Sequence, residues 1–515
     1  MKNGPLVSIL IPTYNRSRYL PCAVRSALGQ DYQNIEVIVI RDGGQKIDDV
    51  IESFNDRRIV FIDRDENRGI PYTLNQGLCA AKGKYICYLG DDDILYPNHT
   101  GTLLDALENK TDCQAAYSDL YRTYCRNTAD GERTVLSKVL EISRDFDRFL
   151  MLCFNHVLHV SMMHRKDLVE KTGLYNENLN ILIDWDLFRR MVYFTDFYHV
   201  REITGEFYSP VENSDRVSVK NRKDPQAYLR NAMTIRTTRP AKPWDKIKDL
   251  AIIIDTPGLT AATGQMVKTM WETTFYPNTI YLPLAEQDIQ KLDIGLPNIV
   301  PVEVDGLSSQ QRIGAVLAGC DAPYVAVVPE GFKIKEFWVE DCLYAISQNP
   351  TGGEVFELED SSEGLWGGIF EKQLLENLIS DIWSGSLLDS VKKSGRQIRK
   401  IQPQEIVFQY DQLLSRGRTL MQQKNFADAA ELFEHIAKNY GNELWISILA
   451  AQAHLKSGNL QRAKQISSRL NSVFPSVESI ITEAQSEKGF KNYDRAVRLF
   501  ENALEIIEGK HLIWT

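Results

Sequence analysis

"LVSILIPTYNRSRYLPCAVRSALGQDYQNIEVIVIRDGG", residues 6–44, decides the fold. Residues 6–11 and 35–40 are short β-rich apolar runs, and "RYLPCAVRSALGQ" (18–30) between them carries apolar residues at helical spacing. The order predicted is strand, helix, strand. Further strands are predicted at 59–62 and 85–89, with "TLNQGLCAAKG" (73–83) as a helix ended by Gly83. Strands alternating with helices belong to the α/β class, with a largely parallel sheet covered on both faces. Ligands of such sheets bind outside the carboxyl ends of the strands. That rule gathers "PTYNR" (12–16), "RDGG" (41–44) and "GDDD" (90–93) on one rim.

Composition narrows the function. The 515 residues are 43% hydrophobic, enough for about three domains at roughly 150 residues each. A net charge of −10 argues against nucleic acid as a partner. Apolar runs such as "LAIII" (250–254) are far shorter than a membrane span of about 18 residues, so a soluble cytoplasmic protein is expected. Eight cysteines are scattered without a CxxC pair, which fits reduced thiols better than a disulfide or zinc framework.

The rim residues suggest chemistry by type. Asp42, followed by two glycines, is either a turn residue capping its own backbone or an acceptor for a ligand donor. Asp91, Asp92 and Asp93 are either a solvated acidic turn or hard oxygen ligands for Mg²⁺ or Mn²⁺. About ninety residues on, Asp184 and Asp186 precede an apolar helical pattern, where either is an N-cap or a general base. "GLCAAKGKY" (77–85) lacks the spacing of a phosphate loop. His156, His159 and His164 match no common zinc motif.

The blocks 7–44, 67–97 and 162–191, taken in order, resemble the family 2 glycosyltransferases of GT-A (Rossmann-like) fold over roughly residues 5–215. The resemblance implies an inverting transfer from a nucleotide-diphosphate sugar, usually a UDP-sugar, with Mn²⁺ or Mg²⁺ on Asp91, Asp92 and Asp93. Carried over by position, Pro12, Thr13, Tyr14, Asn15, Asp42, Arg68, Asp91 and Asp92 would hold the nucleotide sugar, and Asp184 would be the base. Two departures stand out. Val211 takes the place of a His near the metal, and Ile183 replaces the Glu that usually precedes the base.

After the segment 237–246 the pattern restarts. "LAIIIDT" (250–256) resembles "VSILIPT" (7–13), 276–286 resembles 32–42, and 313–331 resembles 74–92. A second GT-A-like α/β domain is expected, degenerate because Glu286 stands for Asp42, and Glu330, Gly331 and Phe332 stand for the three aspartates. The alternative is an unrelated α/β domain with similar buried strands. Asn425, Asn459 and Asn492 then mark three all-α tetratricopeptide units at periods of 34 and 33 residues. Domains are thus expected at 1–240, 247–403 and 405–515. The partners expected are a UDP-sugar donor and a protein, peptide or glycan acceptor, with a homodimer through the repeats as another use of them. A scaffold that binds a nucleotide sugar without transfer is the competing reading.

Overall fold

The computed structural model describes residues 4–110, 112–127, 133–140, 143–211, 225–292, 298–334, 338–348, 353–358, 365–400, 407–439, 444–473 and 475–508. Two compact units emerge, one of residues 1–231 with 410–515 and the other of 232–409.

In the first unit the expected alternation becomes a mixed sheet. Its strands are β1 (Val7–Thr13), β2 (Ile35–Asp42), β3 (Ile59–Arg64), β4 (Tyr85–Tyr88), β5 (Ile94–Leu95), β6 (Ala115–Asn127), β7 (Arg133–Val139), β8 (Met162–Arg165) and β9 (Phe197–Pro210). Their order is β3-β2-β1-β4-β8-β6-β9-β5, with β7 hairpinned on β6. The first four run parallel, with Val7 opposite both Ile35 and Tyr85. β1 and β2 are almost wholly buried, which is why they read as continuous apolar runs rather than alternating ones. Helix Leu20–Leu28 turns Leu20, Ala23, Val24 and Ala27 into the core, the helical spacing visible in the sequence.

One boundary differs from the sequence reading. Helix Ile70–Ala80 stops before Gly83, and the residue at its end is the extended Ala81. Gly83 is needed for another reason: a Cβ there would lie 2.6 Å from the Ser8 Oγ and 2.7 Å from the Ser8 nitrogen, so the chain could not pass beside β1.

The second unit holds β10 (Leu250–Asp255), β11 (Asn278–Leu284), β12 (Ile299–Glu303), β13 (Tyr324–Pro329), β14 (Val355–Leu358), β15 (Gly367–Glu371) and β16 (Ile398–Lys400). Their order is β12-β11-β10-β13-β15-β14-β16. β10 to β13 are parallel and β15 is antiparallel to β13, as β8 is to β4.

Three helix pairs complete the first unit: Val407–Gln422 with Phe426–Asn439, Leu444–Lys456 with Leu460–Val473, and Val477–Gly489 with Tyr493–Ile507. Ala429, Ala463 and Ala496, each four residues after its repeat asparagine, are buried where paired helices close on each other. The third pair also packs against the sheet, through a cluster of Tyr121, Val477, Ile480 and Ala503. No helix among the described residues is long and apolar enough to cross a membrane.

Candidate active site

The carboxyl ends of β1, β2 and β4 bring the three polar clusters together. β1 ends at Thr13, whose hydroxyl donates to Asp91 Oδ2 at 2.7 Å, tying the first loop to the turn that follows β4. Arg16 Nη1 lies 3.3 Å from Asp91 Oδ1 and 3.0 Å from Asp92 Oδ2. Asp93 Oδ1 accepts from the Tyr208 backbone N–H at 3.0 Å. A second guanidinium arrives from β7. Arg133 Nη1 donates to the Asp92 carbonyl at 2.6 Å, and its Nη2 stands 3.8 Å from Asp92 Oδ2.

All three aspartates are buried, so this is not the solvated turn that composition also allowed. Burial pushes the Asp91 carboxyl up to about 6, with Arg16 drawing it back and the neighbouring Asp92 adding to the rise.

The donor set suits a hard divalent cation. A Cβ on Gly90 would fall 2.5 Å from Asp93 Oδ2 and 3.2 Å from Asp92 Oδ1, so only glycine lets the backbone pass this close to the two carboxylates. No group of three or more acidic, His or Cys side chains among the described residues is arranged to hold a metal. One or two carboxylates are what Mg²⁺ or Mn²⁺ takes when water and phosphate oxygens complete its shell.

Asp42 is engaged by its own chain. Its Oδ1 accepts from the Arg68 N–H at 2.9 Å and pairs with Arg64 at 3.2 Å, and its Oδ2 accepts from the Gly69 N–H at 2.8 Å. A carboxylate has about four acceptor sites, so a ligand N–H can still be added. The Arg68 guanidinium stacks on Tyr72 at 3.5 Å. Gly43 earns its place: its φ is +71°, and a Cβ would sit 2.7 Å from the Asn67 nitrogen. Of the first loop, Pro12 pairs with Ile40 in the sheet, Tyr14 is exposed, and Asn15 Oδ1 accepts from the Gln45 N–H at 2.8 Å.

Asp184 and Asp186 have separate fates in helix Ile183–Met191. Neither is the N-cap, which is Leu182 in the left-handed region. Asp186 is buried and paired with Arg190 at 2.6 Å, a structural use. Asp184 accepts from Asn155 Nδ2 and from the Trp185 N–H, both at 2.9 Å. Burial holds its carboxyl above the ordinary range, against those hydrogen bonds. Tyr175 links it to β4, since its ring meets Tyr88 edge-on at 6.1 Å and its phenol feels the Asp184 charge.

Val211 is exposed, and its N–H donates to the Cys125 carbonyl at 3.0 Å. The three histidines belong to the core beside this site. His159 stacks on Tyr88 at 4.2 Å, His164 Nε2 meets the Tyr88 hydroxyl at 2.7 Å, and burial lowers the pKa of all three.

Sequence reasoning missed Arg16, Arg133 and Asn155 as site residues. Arg16 lies inside the "PTYNR" cluster and could have been singled out as its one cation. Arg133 lies about forty residues from the acidic cluster in sequence, and no local pattern marks it.

Residues 8–168 match the model of glycosyl transferase family 2, and residues 420–477 that of a tetratricopeptide repeat. The N-terminal sheet is therefore similar to the family 2 glycosyl transferases over residues 8–168. An uncharacterized glycosyltransferase of Rickettsia typhi is 31% identical over 207 residues, which cover 39% of this chain and 63% of that protein. The chondroitin synthase of Escherichia coli is 29% identical over 228 residues, 43% of this chain and 31% of that one. The chain thus spans less than two thirds of the length of these relatives. Among solved structures, S. aureus TarS 1-349 in complex with UDP-GlcNAc aligns at 15% identity and a TM-score of 0.35, over 45% of this chain and 65% of the other.

Proposed function

We propose that the protein is an inverting, metal-dependent glycosyltransferase that moves a sugar from a UDP-sugar to a hydroxyl of a protein or glycan acceptor. The observation that carries this reading is the buried turn Asp91–Asp93, joined to the loop after β1 by Thr13 and Arg16, within a segment matching family 2. Eight free cysteines agree with a cytoplasmic site of action.

In this reading Asp91, Asp92 and Asp93 would hold Mn²⁺ or Mg²⁺ together with the donor ribose. When bound, the cation offsets the negative charge of the departing diphosphate. Pro12, Thr13, Tyr14, Asn15 and Asp42 shape the nucleoside end, and Arg68 stands by the nucleotide. Asp184 accepts the proton of the acceptor hydroxyl at a carboxylate oxygen, and Asn155 keeps that group oriented. The acceptor oxygen then bonds to the anomeric carbon from the face opposite the diphosphate. The bond from that carbon to the diphosphate oxygen breaks and its electron pair leaves with UDP, so the configuration inverts. The raised pKa of Asp184 suits a group that must hold a proton after taking it.

The test is a panel of nucleotide sugars in thermal-shift and hydrolysis assays, with Mn²⁺ or with EDTA. A melting rise with one UDP-sugar and Mn²⁺, accompanied by UDP release, supports the reading. Binding without any UDP release would favour a non-catalytic scaffold.

A further inference from the structure

We infer that the third helical repeat is part of the donor site, because it braces the β6–β7 hairpin whose Arg133 sets the position of the Asp91–Asp93 turn. The inference rests on reading that turn as the donor site, and it makes Arg133 a positioning residue.

Arg133 is built in tightly. It is the first residue of β7, paired with Asn127 of β6, and its guanidinium lies between the rings of Tyr19 at 3.8 Å and Tyr208 at 4.4 Å. Besides the contacts to Asp92, its Nε is buried without a hydrogen-bond partner. Tyr208 belongs to β9, and its N–H is the one that holds Asp93. One arginine therefore touches the strand that supports Asp93 and the backbone of Asp92. Arg133 is half-buried, and the unmet hydrogen bond of its buried Nε carries a cost that the surrounding contacts must offset.

The restraint comes from the repeats. A two-stranded hairpin is marginal by itself. Lys138 anchors one side of β7 through Glu206 at 2.7 Å, both side chains being buried, and Glu206 also accepts from Thr123 and Tyr96. On the other side, Leu140, just past β7, is buried, and its backbone lies close enough to the Glu478 carboxylate of helix Val477–Gly489 to oppose the rise that burial gives that group. Tyr121 of β6 is buried against Val477 of the same helix. Tyr121, Val477, Ile480 and Ala503 form an apolar cluster against which Tyr96 and Ile203 pack. The first turn of that helix is therefore engaged by the catalytic sheet, so this part of the array serves the protein's own site.

The experiment compares wild type, Arg133→Ala, Arg133→Lys, Ile480→Asp and the double variant Arg133→Ala/Ile480→Asp, all in the full chain. Binding of UDP with Mn²⁺ is measured by calorimetry, and hydrogen exchange is followed in the peptides holding residues 91–93, 133–140 and 444–456. Arg133→Ala is expected to weaken UDP about tenfold and to speed exchange at 91–93 while the repeats stay protected. Arg133→Lys should recover part of the affinity. Ile480→Asp should speed exchange at both 133–140 and 91–93 and weaken UDP by a similar factor, and the double variant should lose little more. Protection of 444–456 in Ile480→Asp shows that the array is still folded. If it is lost there, Ile480→Ala takes its place with the same expectations. The inference is overturned if an interface variant frees 133–140 but leaves 91–93 protected, or if Arg133→Ala changes neither exchange at 91–93 nor UDP affinity. If wild type binds no UDP, the donor-site reading falls, and the brace is judged on exchange alone.

Discussion

The two sheets share a plan and differ at one rim. Both place their first strand between the second and fourth, continue to an antiparallel neighbour, and have, at or just past the end of their first strand, a threonine that donates to a carboxylate after the fourth. Thr13 holds Asp91 at 2.7 Å, and Thr256 holds Glu330 at 3.0 Å. Beyond that pair the chemistry separates. Where Asp92 and Asp93 follow Asp91, the middle sheet has Gly331 and a buried Phe332 that leans on Trp338 at 6.4 Å. Glu330 is surrounded by the hydroxyls of Thr256, Thr260 and Thr263, so its own chain uses three of its about four acceptor sites. What separates the two rims is the second and third carboxylate, not the fold.

The largest effect that can break this comparison is at Asp184, the proposed base. Asp184→Asn should lower transfer by about 10²- to 10⁴-fold while UDP still binds, and loss of UDP affinity in that variant would move Asp184 to the donor side. Next comes the acidic turn. Asp93→Ala, or chelation of divalent metal, should lower transfer by about 10²- to 10³-fold, whereas Glu330→Ala should leave turnover with saturating donor unchanged. A matching fall in the Glu330 variant would reveal a second active rim and dissolve the contrast.

Stability offers smaller and sharper tests. Phe332→Ala should destabilise the middle unit by about 3–5 kcal/mol in denaturant unfolding, as for other buried aromatic truncations; a change below about 1 kcal/mol would mean that the ring is not part of that core. The smallest effect has opposite signs at equivalent positions. Asp91 titrates near 6 when folded, so the native state keeps a proton that the unfolded chain has lost, and its contribution falls as pH rises from about 4 to 6. In EDTA at neutral pH, Asp91→Asn should therefore raise stability, by on the order of 1–3 kcal/mol. At Glu330 burial acts upward, yet the three hydroxyls together hold the carboxyl below its ordinary range. Its contribution is present above that range and lost on acidification, so Glu330→Gln should lower stability at neutral pH. Changes of the same sign in both variants would show that the two carboxylates sit in like surroundings.

Register also corrects one residue of the comparison. Val7 pairs with Ile35 and Leu250 with Asn278, so the position of Asp42 at the end of β2 corresponds to Ala285, one residue before the Glu286 expected from aligned strings. The fourth strands agree with the string alignment, since Val7 faces Tyr85 and Leu250 faces Tyr324, which makes Glu330 the counterpart of Asp91. Similar buried strands slide past one another in sequence at little penalty, whereas hydrogen-bonded ladders do not.

By itself the sequence determined the order of strands and helices, the acidic turn after β4 and the three helical repeats. Each is written in local periodicity: continuous apolar runs for buried parallel strands, 3.6-residue spacing for helices, and a repeat of 33 to 34 residues. Only the tertiary structure decided which aspartate of the pair 184 and 186 is tied up by Arg190, that Arg16 and Arg133 meet the acidic turn, and that the third repeat closes on β6 and β7. Those outcomes depend on contacts between residues far apart in the chain. Arg133 and Asp92 are 41 positions apart, and no periodicity within either segment encodes their meeting.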